Sequence, residues 1–361
     1  MQKIIFPVTN DLSYDQRMQR ICSSLAKNGY AVLLVGRKRK GSVELQKQPF
    51  DQHRLHCFFE KGFLFYTEYN LRLFFFLLFS RADIICAIDL DTILPVYFAT
   101  VFKRQKRVYD AHELFTEQKE ILTRKNVHAF WLAVERFAVP RFRLGYTVNK
   151  SIVDELHKRY QVKYAVVRNL PVTTTLIEKK LNADKWLLYQ GSVNEGRCFE
   201  TLIPAMQHVN ARLVICGEGN FFEQAKALVE QYDLYEKVQF KGYVLPGELK
   251  QLTPKAYVGI TLFERGGMNQ YNSLGNRFFD YIMAGIPQLC VNYPEYASIN
   301  KEYRVAALVN DTSPETIAAT LNNLLANDVL YAELRANCLV ARKVLNWEEE
   351  EKALLHFYQS I

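Results

Sequence analysis

The chain has 361 residues, of which 49% are hydrophobic and 23% charged. This length suits two domains of about 150–200 residues each. The proportions of hydrophobic and charged residues exclude a disordered or low-complexity protein. The charge is uneven, with 24 basic and 14 acidic residues at positions 1–150 against 22 and 24 at positions 151–361. We therefore expect the first half to meet something anionic: nucleic acid, a membrane face or a phosphorylated substrate.

The sequence predicts an intracellular protein without a membrane span. The longest apolar run, Leu73 to Phe79, has seven residues, whereas a spanning helix needs about 20. The first residues lack the apolar length and cleavage site of a signal peptide. None of the seven cysteines forms a C-x-x-C pair, so buried thiols in a reducing cytosol are the expected reading.

Strands and helices alternate along the first half. A helix with apolar residues at helical spacing is predicted over 14–28, ending at Asn28-Gly29. Short apolar strands are predicted at Lys3 to Val8, Ala31 to Val35, Ala82 to Ile88 and Arg107 to Tyr109. Such continuous apolar strands are typical of a parallel sheet covered on both faces.

The second half repeats this pattern after a polar, Pro-containing stretch near residues 169–174. Strands are predicted at 186–189, 212–216, 238–240, 257–262 and 288–291, and helices at 198–209, 221–232 and 276–284. The end of the chain, from Pro314 onwards, is expected to be helical throughout, closing with an amphipathic helix after Trp347. Two doubly wound α/β domains follow from this order.

Polar residues cluster after the predicted strands, where doubly wound sheets bind ligands. In the first half, Asp110, His112 and Glu113 follow one strand, Asp11 follows another, and Arg17 lies in the first helix. Asp89 and Asp91 follow the strand at 82–88. Ionisable groups so placed are costly unless they are solvated or used.

Two segments of the second half suit a nucleoside diphosphate. Gly191 to Arg197 follows a strand and precedes a helix, so that backbone N–H groups and a cation can meet a diphosphate. Neither the P-loop pattern nor G-x-G-x-x-G is present, and a plain turn is an equal reading. Asp280, on the helix that begins at Asn276, can hold two ribose hydroxyls or be an ordinary exposed acid.

An ordered set of motifs resembles the glycosyltransferase family 4-like group. The segment Tyr109 to Phe115 (YDAHELF), a D-x-R at Asp15 to Arg17, the Gly191–Arg197 loop and the segment Asn276 to Pro287 appear in the family's order. The tail after Trp347 resembles the closing crossover helix of that family. The resemblance extends over residues 3–358.

The resemblance implies the GT-B fold: two Rossmann-like α/β domains facing a cleft, with a C-terminal helix that crosses back to the first. We expect an acceptor-side domain at residues 1–170, a nucleotide-sugar domain at 171–342 and the crossover helix at 343–361. The implied activity is retaining transfer of a sugar from a nucleotide sugar to a glycan or lipid-linked acceptor, in the synthesis of surface polysaccharides or glycoconjugates.

The resemblance also implies roles for particular residues. His112 and Arg197 would be catalytic, and Asp11, Arg17 and Glu113 would lie on the acceptor side. The donor would contact Gly191, Ser192, Arg197, Gly242, Val244, Asn272, Gly275, Asn276 and Asp280. The sequence departs from the family where Asn272 replaces the first acid of its two-acid signature and Ser192 replaces the loop arginine. These two departures leave three interpretations open: a different donor sugar, a relocated cation or reduced activity.

No cofactor or metal ion is expected, since arginine and helix dipoles can neutralise the leaving diphosphate. The expected partners are a nucleotide sugar, the acceptor and an anionic membrane surface that meets the basic first half, at the inner face of the membrane. Three alternatives remain: a sugar-nucleotide epimerase, a non-catalytic nucleotide-binding or scaffold member of a glycan assembly complex, and a nucleic-acid binder. Charge alone favours the last of these, because no known nucleic-acid-binding motif is present.

Overall fold

A computed structural model describes residues 1–13, 15–176 and 184–361 of the chain. It divides into two compact units, one formed by residues 1–169 and 350–361 and the other by residues 170–349. Each unit is built around one parallel sheet.

The first unit contains a seven-stranded parallel sheet in the order β3-β2-β1-β4-β5-β6-β7. Its strands are β1 (Lys3–Pro7), β2 (Ala31–Lys38), β3 (Asp51–His56), β4 (Ile84–Ile88), β5 (Lys106–Ala111), β6 (Leu144–Thr147) and β7 (Ala165–Val166). Its helices are α1 (Gln16–Lys27), α2 (Gly62–Phe79), α3 (Ile93–Lys103), α4 (Lys119–Leu122), α5 (Lys125–Ala138) and α6 (Lys150–Tyr160). The order reverses between β1 and β4, so their carboxyl ends flank a switch point at which such sheets bind ligands.

The second unit contains a six-stranded parallel sheet in the order β10-β9-β8-β11-β12-β13. Its strands are β8 (Trp186–Gln190), β9 (Arg212–Cys216), β10 (Val238–Gly242), β11 (Val258–Thr261), β12 (Gln288–Val291) and β13 (Ala306–Val309). Its helices are α7 (Phe199–Ala205), α8 (Phe222–Gln231), α9 (Pro246–Leu252), α10 (Met268–Tyr271), α11 (Asn276–Ala284), α12 (Pro294–Tyr303), α13 (Pro314–Ala326) and α14 (Asp328–Ala341). Here the switch point lies between β8 and β11.

Central strands form the core of each unit, as their continuous apolar sequences predict. β4 is buried at all five positions, and β11 and β12 are buried throughout. The edge strand β3 (DQHRLH) is polar and half exposed, which is why apolar runs do not reveal it. All seven cysteines are free, and all are buried except the half-buried Cys57.

The last helix, α15 (Trp347–Gln359), joins the two units. At its start the Trp347 N–H donates to the Pro171 carbonyl and the Glu348 carboxylate accepts from Thr173, while from residue 350 onwards the helix belongs to the first unit. Tyr358, near its end, is fully buried there. The expected helix that crosses back to the first domain is therefore present. The end of the chain, expected to be helical throughout, forms three helices, α13 to α15, with short breaks between them.

Within the described part of the chain, no helix combines the length and the hydropathy that crossing a bilayer would require.

Candidate functional site

A buried ion pair lies at the carboxyl end of β5 in the first unit. Arg17 Nη2, from α1, lies 2.8 Å from Asp110 Oδ1, and the two side chains are 5% and 0% exposed. Arg17 Nη1 also donates to the Val167 carbonyl at 3.1 Å. The guanidinium holds the pKa of Asp110 below its usual value even though burial opposes this. These contacts favour Arg17 as a residue that positions Asp110, and its expected acceptor-side role stays a prediction.

The His112 ring lies between two carboxylates. Its Nε2 atom is 3.1 Å from Asp110 Oδ2, and its Nδ1 atom is 3.2 Å from Asp89 Oδ2. The His112 backbone N–H donates to Asp89 Oδ1 at 2.8 Å. Burial lowers the pKa of His112, but the charges of Asp110 and Asp89 outweigh it and raise the pKa well above its ordinary value. The two carboxylates therefore favour the protonated form of the His112 ring, and its expected catalytic role stays a prediction.

Asp89 and Asp91 complete this polar cluster at the end of β4. Asp89 has a φ of +52°, a conformation that costs a non-glycine residue energy and that is common at functional sites. Asp91 accepts a hydrogen bond from the Thr9 hydroxyl at 2.6 Å. Burial, followed by the charge of Asp89, raises the pKa of Asp91 to about 7. Asp89, Asp91 and Asp110 were expected at strand ends, where ionisable groups are costly unless they are solvated or used, but none of them was predicted to have a particular role.

The other two expected acceptor-side residues lie in loops of the same unit. Asp11 Oδ1 accepts from the Ser13 N–H at 3.1 Å, and the Asp11 carbonyl accepts from Arg54 Nε at 2.7 Å. Glu113 Oε1 accepts from Gln118 Nε2 at 2.6 Å. Both carboxylates hold their own loops, and their roles toward an acceptor stay predictions.

Glycine loops at the ends of β8 and β9 interlock in the second unit. Gly191, with a φ of +119°, donates to the Cys216 carbonyl at 2.9 Å. A Cβ atom on Gly217 would lie 1.9 Å from the Gly191 carbonyl oxygen, so only glycine fits there. The Gly217 N–H in turn donates to the Gly242 carbonyl at 2.7 Å. These hydrogen bonds join the ends of β8, β9 and β10, two of which carry the expected donor-binding residues Gly191 and Gly242, and Ser192 is exposed beside them.

Val244 and Arg197 flank these strand ends. Val244 is half-buried two residues after β10. Helix α7 begins at Phe199 rather than at the expected residue 198, because Cys198 has a φ of +58° and precedes the helix. Arg197 therefore lies ahead of the helix, and its guanidinium stacks on the Phe263 ring at 4.5 Å from the ring centre.

Asp280 is fixed beside the end of β8. Its Oδ2 atom accepts from Gln190 Nε2 at 2.9 Å, and the Thr253 hydroxyl donates to the other end of the Gln190 amide at 2.8 Å. Gln190 is buried and directly precedes Gly191. The half-buried Asp280 carboxylate is thereby oriented next to the glycine loop.

The first turn of α11 lies beside the same loop. Gly275 is its N-cap, without a side-chain cap, and the Gly275 N–H donates to the Tyr296 hydroxyl at 2.8 Å. Asn276, the exposed first residue, begins the helix, and Asn272 ends the preceding α10. A helix start with no side-chain cap presents N–H groups and a positive dipole end to an anion.

Arg277 lies in the segment Asn276 to Pro287 but is not among the residues predicted to bind the donor. It is only 8% exposed, its guanidinium stacks on the Tyr189 ring at 4.3 Å, and its Nη1 atom is buried with no hydrogen-bond partner. A Cβ atom on Gly191 would lie 3.7 Å from Arg277 Cζ. No carboxylate of the described chain forms a salt bridge with Arg277. One arginine in an apolar helix gives no sequence signal of burial beside a glycine loop.

Among the described residues, no group of three His, Cys, Asp or Glu side chains is arranged to hold a metal ion.

Comparison with known proteins agrees with this architecture. Residues 175–339 match the family described as Glycosyl transferases group 1. Among curated proteins, none matches the chain significantly in sequence.

Solved structures are similar over the whole chain. A sucrose-phosphate synthase from Thermosynechococcus elongatus is 16% identical, with a TM-score of 0.80 over 100% of this chain and 99% of its own. HepE of Anabaena, solved with UDP-glucose, is 11% identical, with a TM-score of 0.78 over 100% of both chains. WaaG, described as a glycosyltransferase of lipopolysaccharide biosynthesis, is 16% identical, with a TM-score of 0.74 over 97% of this chain and 98% of its own.

These identities establish the fold alone, and they confirm the expected GT-B fold. The chain thus has the GT-B fold, and its residues 175–339 match the glycosyl transferases group 1 family.

Proposed function

We propose that the chain is a retaining, metal-independent glycosyltransferase. It would move a sugar from a nucleoside-diphosphate donor to a glycan or lipid-linked acceptor in the synthesis of surface polysaccharides or glycoconjugates. The observation that carries this proposal is the convergence, within the group 1 domain, of an oriented carboxylate, a glycine loop and a buried arginine.

Asp280 is the proposed ribose ligand. A carboxylate accepts two hydroxyl hydrogen bonds well when its own position is fixed, and such charge-assisted bonds are stronger than neutral ones. The Gln190 amide fixes Asp280 at 2.9 Å beside the strand end that leads into the Gly191 loop. A ribose held there places the attached diphosphate toward that loop and the start of α11.

Arg277 is the proposed replacement for the cation that Ser192 lacks. A buried guanidinium without an acid partner is costly, and a bound diphosphate would supply the missing anion. Arg277 Nη1 has no hydrogen-bond partner, and the guanidinium lies beside Gly191. Of the outcomes left open by the changed loop arginine, these contacts favour a relocated cation.

The proposed chemistry is stabilisation of the leaving diphosphate. Charge that develops on the leaving oxygen would be met by Arg277, Arg197 and the first N–H groups of α11, all fixed before reaction. With these donors no metal ion is required. The acceptor hydroxyl would attack the face that the leaving group vacates, with the donor phosphate oxygen receiving the proton, so that the anomeric configuration is retained. His112, which lies between the carboxylates of Asp89 and Asp110, would contribute the positive charge that these two groups favour on its ring.

The first test is nucleotide binding to the full chain by calorimetry, with UDP, GDP, ADP and CMP, in the presence of a chelator. HepE was solved with UDP, which makes UDP the first candidate. We expect one nucleotide to bind, and Arg277→Gln to weaken it about tenfold to a hundredfold, as loss of a hydrogen bond to a charged group does. Arg212→Gln, at an exposed pair with Asp184, is the matched control. Unchanged affinity in Arg277→Gln would remove Arg277 from the site.

Activity is tested by release of free nucleotide from the matching nucleotide sugar. Slow release without an acceptor, abolished by Asp280→Ala, supports a transferase. Nucleotide binding with no release under any acceptor tried would favour the non-catalytic member of a glycan assembly complex.

A further inference from the structure

The first unit carries an apolar groove that the proposed chemistry does not use. The groove has a volume of about 800 Å³ and runs between α2, α3 and α5. Its walls include Phe63, Phe74, Phe98, Phe102, Phe130 and Trp131. Its volume is that of a typical small-molecule site, but its lining is too apolar for a sugar or a nucleotide.

Helix α2 is apolar on two sides. Phe65, Tyr69, Leu73 and Leu77, spaced by four residues, are buried in the core. The opposite side also carries apolar residues, with Leu71 56% and Phe75 53% exposed, and Phe102 on the neighbouring α3 is 70% exposed. A helix that faced only water would be polar on that side, and a contiguous exposed apolar patch marks a binding surface.

One basic side chain lines the groove, and others are close to its lining residues in sequence. Arg124 lines it, the exposed Lys125 is next to Arg124, and the exposed Lys61 and Arg104 lie close in sequence to its lining residues Gly62 and Phe102. Of its lining residues only Asp91 is acidic. Apolar walls with basic residues alongside match a hydrocarbon chain that carries a phosphate.

One end of the groove reaches the polar cluster described above. Asp91 lines the groove. It also accepts a hydrogen bond from the Thr9 hydroxyl and is two residues from Asp89 of the polar cluster. A lipid whose tail lies along α2 and α3 would therefore bring its polar end to the cluster at His112.

We propose that this groove binds the hydrocarbon tail of a phosphate-bearing lipid, and that this lipid is the acceptor. The proposal rests on the proposed function, because it identifies the acceptor of that reaction. Arg124 and Lys125 provide the charge that attracts the phosphate, and Asp91 faces the hydroxyl-bearing end. A short or tail-less acceptor would leave the groove unused.

Trp131 provides a native probe. We would titrate the full chain with dodecyl phosphate brominated at the end of its tail, below its micelle concentration, and with the unbrominated compound as reference. Bromine quenches tryptophan fluorescence only at close range, and Trp131 lies in the groove. We expect saturable quenching that disappears in Trp131→Phe, while calorimetry shows that this variant still binds the probe.

Three phenylalanine variants locate the binding. Phe63→Ser and Phe102→Ser remove exposed groove residues, and together they should weaken binding about tenfold through lost apolar contact. Phe79→Ser is the matched control, because Phe79 is equally exposed on α2 but does not line the groove. Equal weakening in all three variants would indicate adsorption to a membrane-facing surface and overturn the proposal. So would an absence of quenching, or a dimer in sedimentation that the probe dissociates.

The nucleotide titration separates this proposal from the proposed function. A chain that binds UDP but not dodecyl phosphate would keep its proposed transferase activity and lose the lipid acceptor. A chain that binds dodecyl phosphate but no nucleotide would instead lose the proposed function.

Discussion

Removal of the Arg17 guanidinium should destabilise the first unit more than any surface charge change. In Arg17→Met, the buried Asp110 carboxylate loses the 2.8 Å contact to Nη2 and its longer contact to Nε at 3.4 Å. Breaking a buried pair by removing one partner costs about 3–5 kcal/mol, because a charge is left without compensation. His112 remains 3.1 Å from Asp110, so we expect the lower end, about 3 kcal/mol.

Native-state hydrogen exchange measures this loss in the first unit alone. The slowest amides of β4 and β5 report the free energy of opening that unit. A loss of about 3 kcal/mol corresponds to exchange about a hundredfold faster. Arg72→Met is the matched control, since Arg72 is exposed and forms an i,i+4 pair with the half-buried Glu68 on α2, and such a pair is worth only about 0.3–0.5 kcal/mol.

A double variant tests the reasoning further. Arg17→Met combined with Asp110→Leu removes both charges from the buried site, and we expect it to recover much of the lost stability, because apolar replacement of a buried pair is often neutral. Exchange accelerated less than threefold in Arg17→Met would refute the account of Asp110 as a buried charge that depends on Arg17.

Three further outcomes follow from the same contacts. In an NMR titration, the His112 ring should have a pKa well above its ordinary value. Its protonation then stabilises the folded state, fully below about pH 6.5, and this stabilisation is lost as the pH rises through the pKa of the folded state. Asp91 has its pKa raised to about 7, so the folded state disfavours its ionised form, and Asp91→Asn should raise the midpoint of thermal unfolding at pH 8 more than at pH 5. Gly217→Ala, whose methyl group would lie 1.9 Å from the Gly191 carbonyl, should abolish nucleotide binding in calorimetry, whereas Gly247→Ala, with open space around it, should not.

Much of the fold could be predicted from the sequence. The strands at 212–216 and 288–291 and the helix at 276–284 have the predicted bounds, because continuous apolar runs and glycine or proline boundaries are local signals. The final helix after Trp347 is likewise present as expected, whereas the polar strand β3 could not be predicted in this way. β3 obtains its hydrogen bonds from β2 and needs no apolar side chains of its own.

The candidate site could be predicted only in part. Strand-end positions indicated Asp110, His112 and the Gly191 loop, since carboxyl ends of parallel strands gather at one edge of a sheet. The sequence did not indicate that His112 lies between two carboxylates, because Asp89 comes from a different strand.

The sequence by itself therefore determined the alternation of strands and helices, the two α/β domains and the family resemblance, all of which depend on residues close together in the chain. The tertiary structure alone decided which charges are paired. It buried Arg17 against Asp110, left Arg277 buried without an acid beside Gly191, and brought the aromatic residues of α2, α3 and α5 together around one groove. Burial and pairing depend on residues distant in sequence, and it is they that set the charge and the binding properties of a side chain.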